Sequence, residues 1–113
     1  MTRTKPPNDR QGETTKVVLW DEETKSDVDL YITVNRDEEG RVVELFSKAT
    51  DGFTPHLEDI CIPASLALQY GCPVEKMVEK LRYRNYPPHG NLGGPRSISD
   101  AVAVVLERTI NEE

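Results

Sequence analysis

Val28-Asp29-Leu30-Tyr31-Ile32-Thr33-Val34-Asn35, then Arg36-Asp37-Glu38-Glu39-Gly40, then Arg41-Val42-Val43-Glu44-Leu45-Phe46: this stretch decides the fold. Val28, Leu30, Ile32 and Val34 alternate with Asp29, Tyr31, Thr33 and Asn35. A period of two puts the apolar set on one face of a strand. The polar run after it ends in Gly40, which suits the positive φ of a hairpin connection. The chain then returns over Arg41 to Phe46, with Val43 and Leu45 on one side and Val42, Glu44 and Phe46 on the other. An antiparallel hairpin with one apolar face must be covered by something else.

Working towards the N-terminus, Lys16 to Trp20 is a short β-prone run, and Asp21-Glu22-Glu23 reads as the turn joining it to the hairpin. Residues 1–15 are polar, contain Pro6-Pro7 and show no periodicity, so a flexible leader is expected there. A single domain over 16–113 follows. Working towards the C-terminus, Thr54-Pro55 carries a helix start signal, with Thr as N-cap and Pro at the first helical position. Leu57, Ile60, Cys61, Ala64 and Leu68 follow at helical spacing, and Pro63 among them predicts a kink or a split. Gly71 stops this helix and Pro73 starts the next, whose Val74, Met77, Val78 and Leu81 recur at i, i+3, i+4 and i+7. Three prolines and three glycines between Arg82 and Arg96 exclude regular structure. Ser97 then caps a last helix, with Asp100 as a short capping-box partner and an apolar stripe of Ile98, Ala101, Val102, Val105 and Leu106. The fold class expected is α+β: an antiparallel three- to four-stranded sheet followed by about three helices packed on one face.

At 113 residues, 36% hydrophobic and 30% charged, the chain suffices for one core, not for a β/α barrel or a repeat array. Its longest uncharged stretch, Ile60 to Val74, is too short to span a bilayer, and the polar start does not read as a signal peptide. A cytoplasmic location with no membrane partner is therefore expected. Cys61 and Cys72, if joined by helix, sit roughly 16 Å apart, beyond the ~7 Å that a disulfide allows, so two free thiols are expected. His56 and His89 have no second ligand at metal spacing, and neither metal nor cofactor is expected.

The net charge of −6 is unevenly spread. Residues 1–16 carry +2, 17–60 carry −8 and 61–113 are neutral, yet Lys76, Lys80, Arg82, Arg84 and Arg96 face Glu79 alone in their stretch. An acidic body with a small basic patch argues against a nucleic-acid duplex and suits a small anion. Nucleophile constellations, a Walker loop and a dinucleotide fingerprint are all lacking in the sequence. Two helix starts remain as anion seats, one approached by Lys48 and Thr50, the other by Arg96 and Ser97. Arg82 and Arg84 could clamp a phosphate, Tyr83, Tyr86 and His89 offer flat faces to a base, and Asn85 and Asn91 offer a base edge. The alternative is a purely structural loop, in which the arginines cap their own helix and the tyrosines are core.

Several segments resemble the TSCPD domain, best known as the C-terminal part of vitamin B12-dependent (class II) ribonucleotide reductases. They are Ile32 to Arg41 with Val43-Glu44-Leu45-Phe46, then Ser65-Leu66-Ala67-Leu68-Gln69-Tyr70-Gly71, then Ser97-Ile98-Ser99-Asp100-Ala101. Arg96-Ser97-Ile98-Ser99-Asp100 stands where that family carries Thr-Ser-Cys-Pro-Asp, so the Cys and the Pro are replaced, while Lys48 of the strand-to-helix loop is kept. The resemblance implies a binding domain without the reductase barrel. In size and layout the chain is also similar to phage anti-defence sponges that sequester the cyclic nucleotide or cyclic ADP-ribose signals of Thoeris and CBASS immunity.

Two functions are thus expected in competition. One is a non-catalytic, homo-oligomeric nucleotide binder of the sponge type, with ligand residues Lys48, Thr50, Arg82, Tyr83, Arg84, Asn91, Arg96 and Ser97. The other is a stand-alone module that interacts with, or regulates, a ribonucleotide reductase.

Overall fold

The computed structural model of the chain describes residues 2–6, 11–91 and 93–111. Three strands come first, β1 (Gln11–Asp21), β2 (Ser26–Arg36) and β3 (Val42–Ala49), followed by three helices, α1 (Thr54–Gln69), α2 (Val74–Leu81) and α3 (Ile98–Asn111). The sheet is an antiparallel meander in the order β1-β2-β3. Its central hairpin keeps the expected alternation: Val28, Leu30, Ile32 and Val34 are at most 2% exposed. Leu19 opposite Val28, and Leu45 opposite Val34, extend the apolar face to both neighbours. Burying each such side chain stabilises the fold by about 1.5–3 kcal/mol, so this face holds the sheet to the helices.

Leu57, Cys61, Ala64 and Leu68 of α1 and Ile98, Ala101, Val102, Val105 and Leu106 of α3 close the core from the other side. Helix α1 packs against β3, α3 reaches β2, and α2 packs on α3. The opposite face of the sheet is left uncovered, with Val18, Trp20, Tyr31 and Phe46 exposed on it.

Several details differ from the sequence expectation. Strand β1 begins at Gln11, because Gln11 to Thr15 pair with Arg36 to Ile32 and continue the ladder beyond the β-prone run. Part of the expected leader is tied down as well: Thr4 N donates to Gln69 O at 2.7 Å, and Arg3 Nε to Gln69 Oε1 at 2.6 Å. Met1 and residues 7–10 lie outside the described residues. Pro63 neither splits nor ends α1, which runs unbroken through it. The N-cap of α1 is Phe53, without a side-chain cap bond. The Thr54 hydroxyl instead accepts from Ala49 N at 3.1 Å and donates to Ala49 O at 2.7 Å.

That last pair belongs to a series. Ser65 Oγ accepts from Leu45 N at 2.8 Å and lies 3.1 Å from Leu45 O, while Gln69 Nε2 donates to Val43 O at 3.0 Å. Helix α1 therefore seals the outer edge of β3 with side chains, where a neighbouring strand would have used its backbone.

Candidate functional site

The irregular segment after α2 is organised by one carboxylate. Asp100 is 1% exposed. Its Oδ1 accepts from the Arg82 guanidinium at 2.7 Å and from Tyr83 N at 2.8 Å, and its Oδ2 accepts from Arg96 N at 2.9 Å. Burial works to raise the Asp100 pKa, but the amides of Arg96 and Tyr83 and the charge on Arg82 outweigh it and hold the group below the usual carboxylate range. Both ends of the Pro/Gly-rich segment are thus pinned to the first turn of α3. The capping box is modified accordingly. Ser97 Oγ accepts from Asp100 N at 3.0 Å as expected of an N-cap, whereas the carboxylate reaches past the cap residue to Arg96 N.

Between the pins the loop folds on itself. Ser97 Oγ donates to Arg84 O at 2.6 Å, Tyr86 N to Arg96 O at 3.2 Å and Gly90 N to Pro95 O at 2.7 Å. Position 90 has to be glycine, since a Cβ there would lie 2.9 Å from the Pro95 backbone nitrogen. Trp20 N donates to His89 O at 2.7 Å, which docks the loop on the end of β1 as a one-bridge fourth strand. Tyr83 has φ of +67°, a left-handed conformation uncommon for a bulky residue, and the Asp100 bond to its amide holds it there.

This geometry encloses a concavity of about 490 Å³ whose wall includes Arg82, Tyr83, Asn85, His89, Arg96 and Asp100. Tyr83 is 62% exposed. The Arg82 guanidinium carbon lies 4.2 Å from the ring centroid and that of Arg96 lies 5.7 Å from it, both within cation–π range. His89 Nε2 lies 2.8 Å from Asn85 Oδ1, so the imidazole is held by the amide side chain.

Of the residues expected to bind a ligand, the structure gathers Arg82, Tyr83 and Arg96 in this concavity. Ser97 is fully buried and serves as the helix cap and loop tie. Arg84 is exposed and contributes its carbonyl to the loop rather than its guanidinium to the wall. Asn91 turns the chain through its carbonyl, which accepts from Gly94 N at 2.6 Å. Lys48 is exposed on the uncovered sheet face, opposite Tyr31, and the Thr50 hydroxyl accepts from Asp29 N at 2.8 Å. The two helix-start sites do not merge. Asn85 and His89, offered by the sequence as groups for a base, also line the wall, and Asp100, read only as a capping partner, joins them. A cue for Asp100 was present: it is the first acid after a basic stretch and sits three residues beyond a cap serine.

Among the described residues no group of three His, Cys, Asp or Glu side chains is placed to hold a metal ion, and no helix is long and apolar enough to cross a membrane.

A three-stranded meander backed by three helices, with a loop hollow of two arginines and a tyrosine built on a buried aspartate, makes this a small α+β domain. The TSCPD domain model matches residues 2–110, and the chain belongs to that family. It is 30% identical over 106 residues to a vitamin B12-dependent ribonucleotide reductase of Agrobacterium fabrum, a match covering 91% of this chain and 8% of the relative. It is 27% identical over 106 residues to the corresponding reductase of Bradyrhizobium diazoefficiens, with the same coverage. The chain therefore corresponds to a small part of the curated relatives it matches. No solved structure matches it.

Proposed function

We propose that this protein is a non-catalytic binding domain for a small nucleotide carrying one phosphate charge. The observation that carries the proposal is the Arg82–Tyr83–Arg96 wall: a flat aromatic face with two guanidinium groups beside it. Arg82 is already matched by Asp100 at 2.7 Å. Arg82 also lies 3.9 Å from Glu107 Oε2, so Arg96 is the guanidinium left to meet a ligand, which suits one phosphodiester better than a polyphosphate. The volume of about 490 Å³ falls in the range of about 300–1,000 Å³ typical of small-molecule sites. The wall's carboxylate and imidazole are both engaged in holding the loop, which supports binding without turnover. Retention without cleavage is what a sponge for cyclic mononucleotide signals requires, and that is the biological use we propose. A singly charged ligand fits one chain, and Lys48, on the open sheet face, is not needed for it.

The test is thermal melting with cyclic mononucleotides, cyclic dinucleotides, cyclic ADP-ribose and ATP. A ligand at a hundred times its Kd stabilises the native state by about 2.7 kcal/mol, a shift of several degrees for a domain of this size. A shift with a singly charged cyclic nucleotide that is lost in Arg96→Ala supports the proposal. No shift with any of them at millimolar concentration overturns it.

The relatives favour a second reading, in which the domain docks on a ribonucleotide reductase through the uncovered sheet face and its exposed Val18, Trp20, Tyr31 and Phe46. Recovery of a reductase subunit with the wild-type protein, lost in Phe46→Glu, is the outcome that this reading requires.

A further inference from the structure

The two edges of the sheet are treated differently. The edge of β3 is closed by Thr54, Ser65 and Gln69 of α1. The edge of β1 is closed at Trp20, where the N–H turns away from β2 to reach His89 O. Antiparallel strands alternate the direction of their backbone groups. Gly12, Thr14, Lys16 and Val18, in phase with Trp20, therefore aim their N–H and C=O groups outward along the same edge. Among the described residues no hydrogen bond reaches these groups. The strand is long, rich in Thr and Val, and free of proline between Gln11 and Asp21. An edge of this kind is a template for another strand.

We infer that β1 pairs antiparallel with β1 of a second copy of this chain, making a continuous six-stranded sheet with Thr15 on the twofold axis. The docked loop fixes the register. It blocks pairing at Trp20, and β2 ends at Arg36, opposite Gln11, so the outward residues backed by the β2 ladder are Gly12, Thr14, Lys16 and Val18. A twofold arrangement then sets Gly12 opposite Val18 of the partner and Thr14 opposite Lys16 of the partner, with about eight new backbone hydrogen bonds. Glu13 falls opposite Val17 of the partner, and Thr15 opposite its own copy. No like charges stand directly opposite one another, and the Thr–Thr pair on the axis is a favourable one. The edge is thus complementary to itself, which is why a second copy is the occupant. This inference is independent of the nucleotide reading, because the interface and the loop concavity share no residue.

The register makes an asymmetric prediction about charge. Thr14→Lys places one lysine opposite Lys16 at each of the two symmetry-related positions, and Thr14→Glu places a carboxylate there. Both variants lose the same 2.7 Å contact between Thr14 Oγ1 and Thr33 Oγ1, so the difference between them isolates the interface. Light scattering after size exclusion is expected to show a dimer for the wild type, a dimer Kd raised several-fold by Thr14→Lys and one lowered several-fold by Thr14→Glu. A non-hydrogen-bonded pair on the axis brings its Cα atoms to about 4.5 Å, so Thr15→Cys in a Cys72→Ser background is expected to form an intermolecular disulfide under mild oxidation, while Thr24→Cys in the same background is not. A monomer at hundreds of micromolar overturns the inference. So does a dimer in which Thr15→Cys fails to cross-link, or in which the two Thr14 variants shift the Kd in the same direction.

Discussion

Replacing Asp100 by Asn tests the organisation of the loop with almost no change in shape. The carboxylate accepts three hydrogen bonds at 2.7, 2.8 and 2.9 Å from two backbone amides and a guanidinium. The amide can keep its oxygen towards Arg82 and Tyr83, but its NH₂ group then faces Arg96 N–H, donor against donor. Arg82, with its side chain 23% exposed, loses its nearer counter-charge and keeps only Glu107, at 3.9 Å. Breaking a fully buried pair costs about 3–5 kcal/mol. Partial exposure and the two retained bonds reduce this to about 2–3 kcal/mol, which at 4–8 °C per kcal/mol lowers Tm by roughly 10–20 °C. Differential scanning calorimetry reads the loss. Amide exchange should rise first at Tyr83 and Arg96, since the left-handed Tyr83 is released together with its tie. A Tm drop below about 3 °C would show that the carboxylate does not hold the loop.

Further outcomes are expected. Asp100 is held below the usual carboxylate range, so its contribution to stability is complete above about pH 4 and is lost as the pH falls through its lowered pKa. A pH series of Tm values should therefore fall on the acid side, and fall less steeply in Asp100→Asn. Ser65→Ala strands the buried Leu45 N–H at the β3 edge and should cost about 1–3 kcal/mol by urea unfolding, with faster exchange at the Leu45 amide. Burial raises the pKa of the Cys61 thiol, against the lowering effect of Ser47, whereas Cys72 is half-buried. Titration with a thiol reagent should thus count one fast-reacting group in the native protein and two after denaturation.

The hairpin was legible because its alternation is strict and its turn glycine is unambiguous: Val28, Leu30, Ile32 and Val34 are all buried as expected. Ser97 and Gly71 likewise mark helix boundaries through local chemistry that the sequence states directly. Strand β1 was read too short because Gln11 to Thr15 lack apolar alternation. They are strand because the β2 backbone across from them supplies partners, a tertiary cause with no local signature. Thr54 was read as an N-cap, yet its hydroxyl serves the β3 edge, a competition that becomes visible once Ala49 is known to lie beside it.

The expected ligand set mixed two distant helix starts for the same reason. Lys48 and Arg96 look equivalent in sequence, but one stands on the open sheet face and the other in the loop hollow. Arg82 was read as a free phosphate clamp, whereas its charge is matched by an aspartate 18 residues away. Spacing along the chain gives no sign of that pairing.

The most direct measurement is a titration of isotopically labelled protein with a singly charged cyclic nucleotide, followed by amide chemical shifts, with the ligand recovered afterwards by heat denaturation. Saturable shifts centred on Tyr83, His89 and Arg96, abolished in Arg96→Ala, with the nucleotide returned intact, are what the account predicts. Shifts confined to the open face around Tyr31 and Phe46, no shifts at all, or a hydrolysed nucleotide would contradict it.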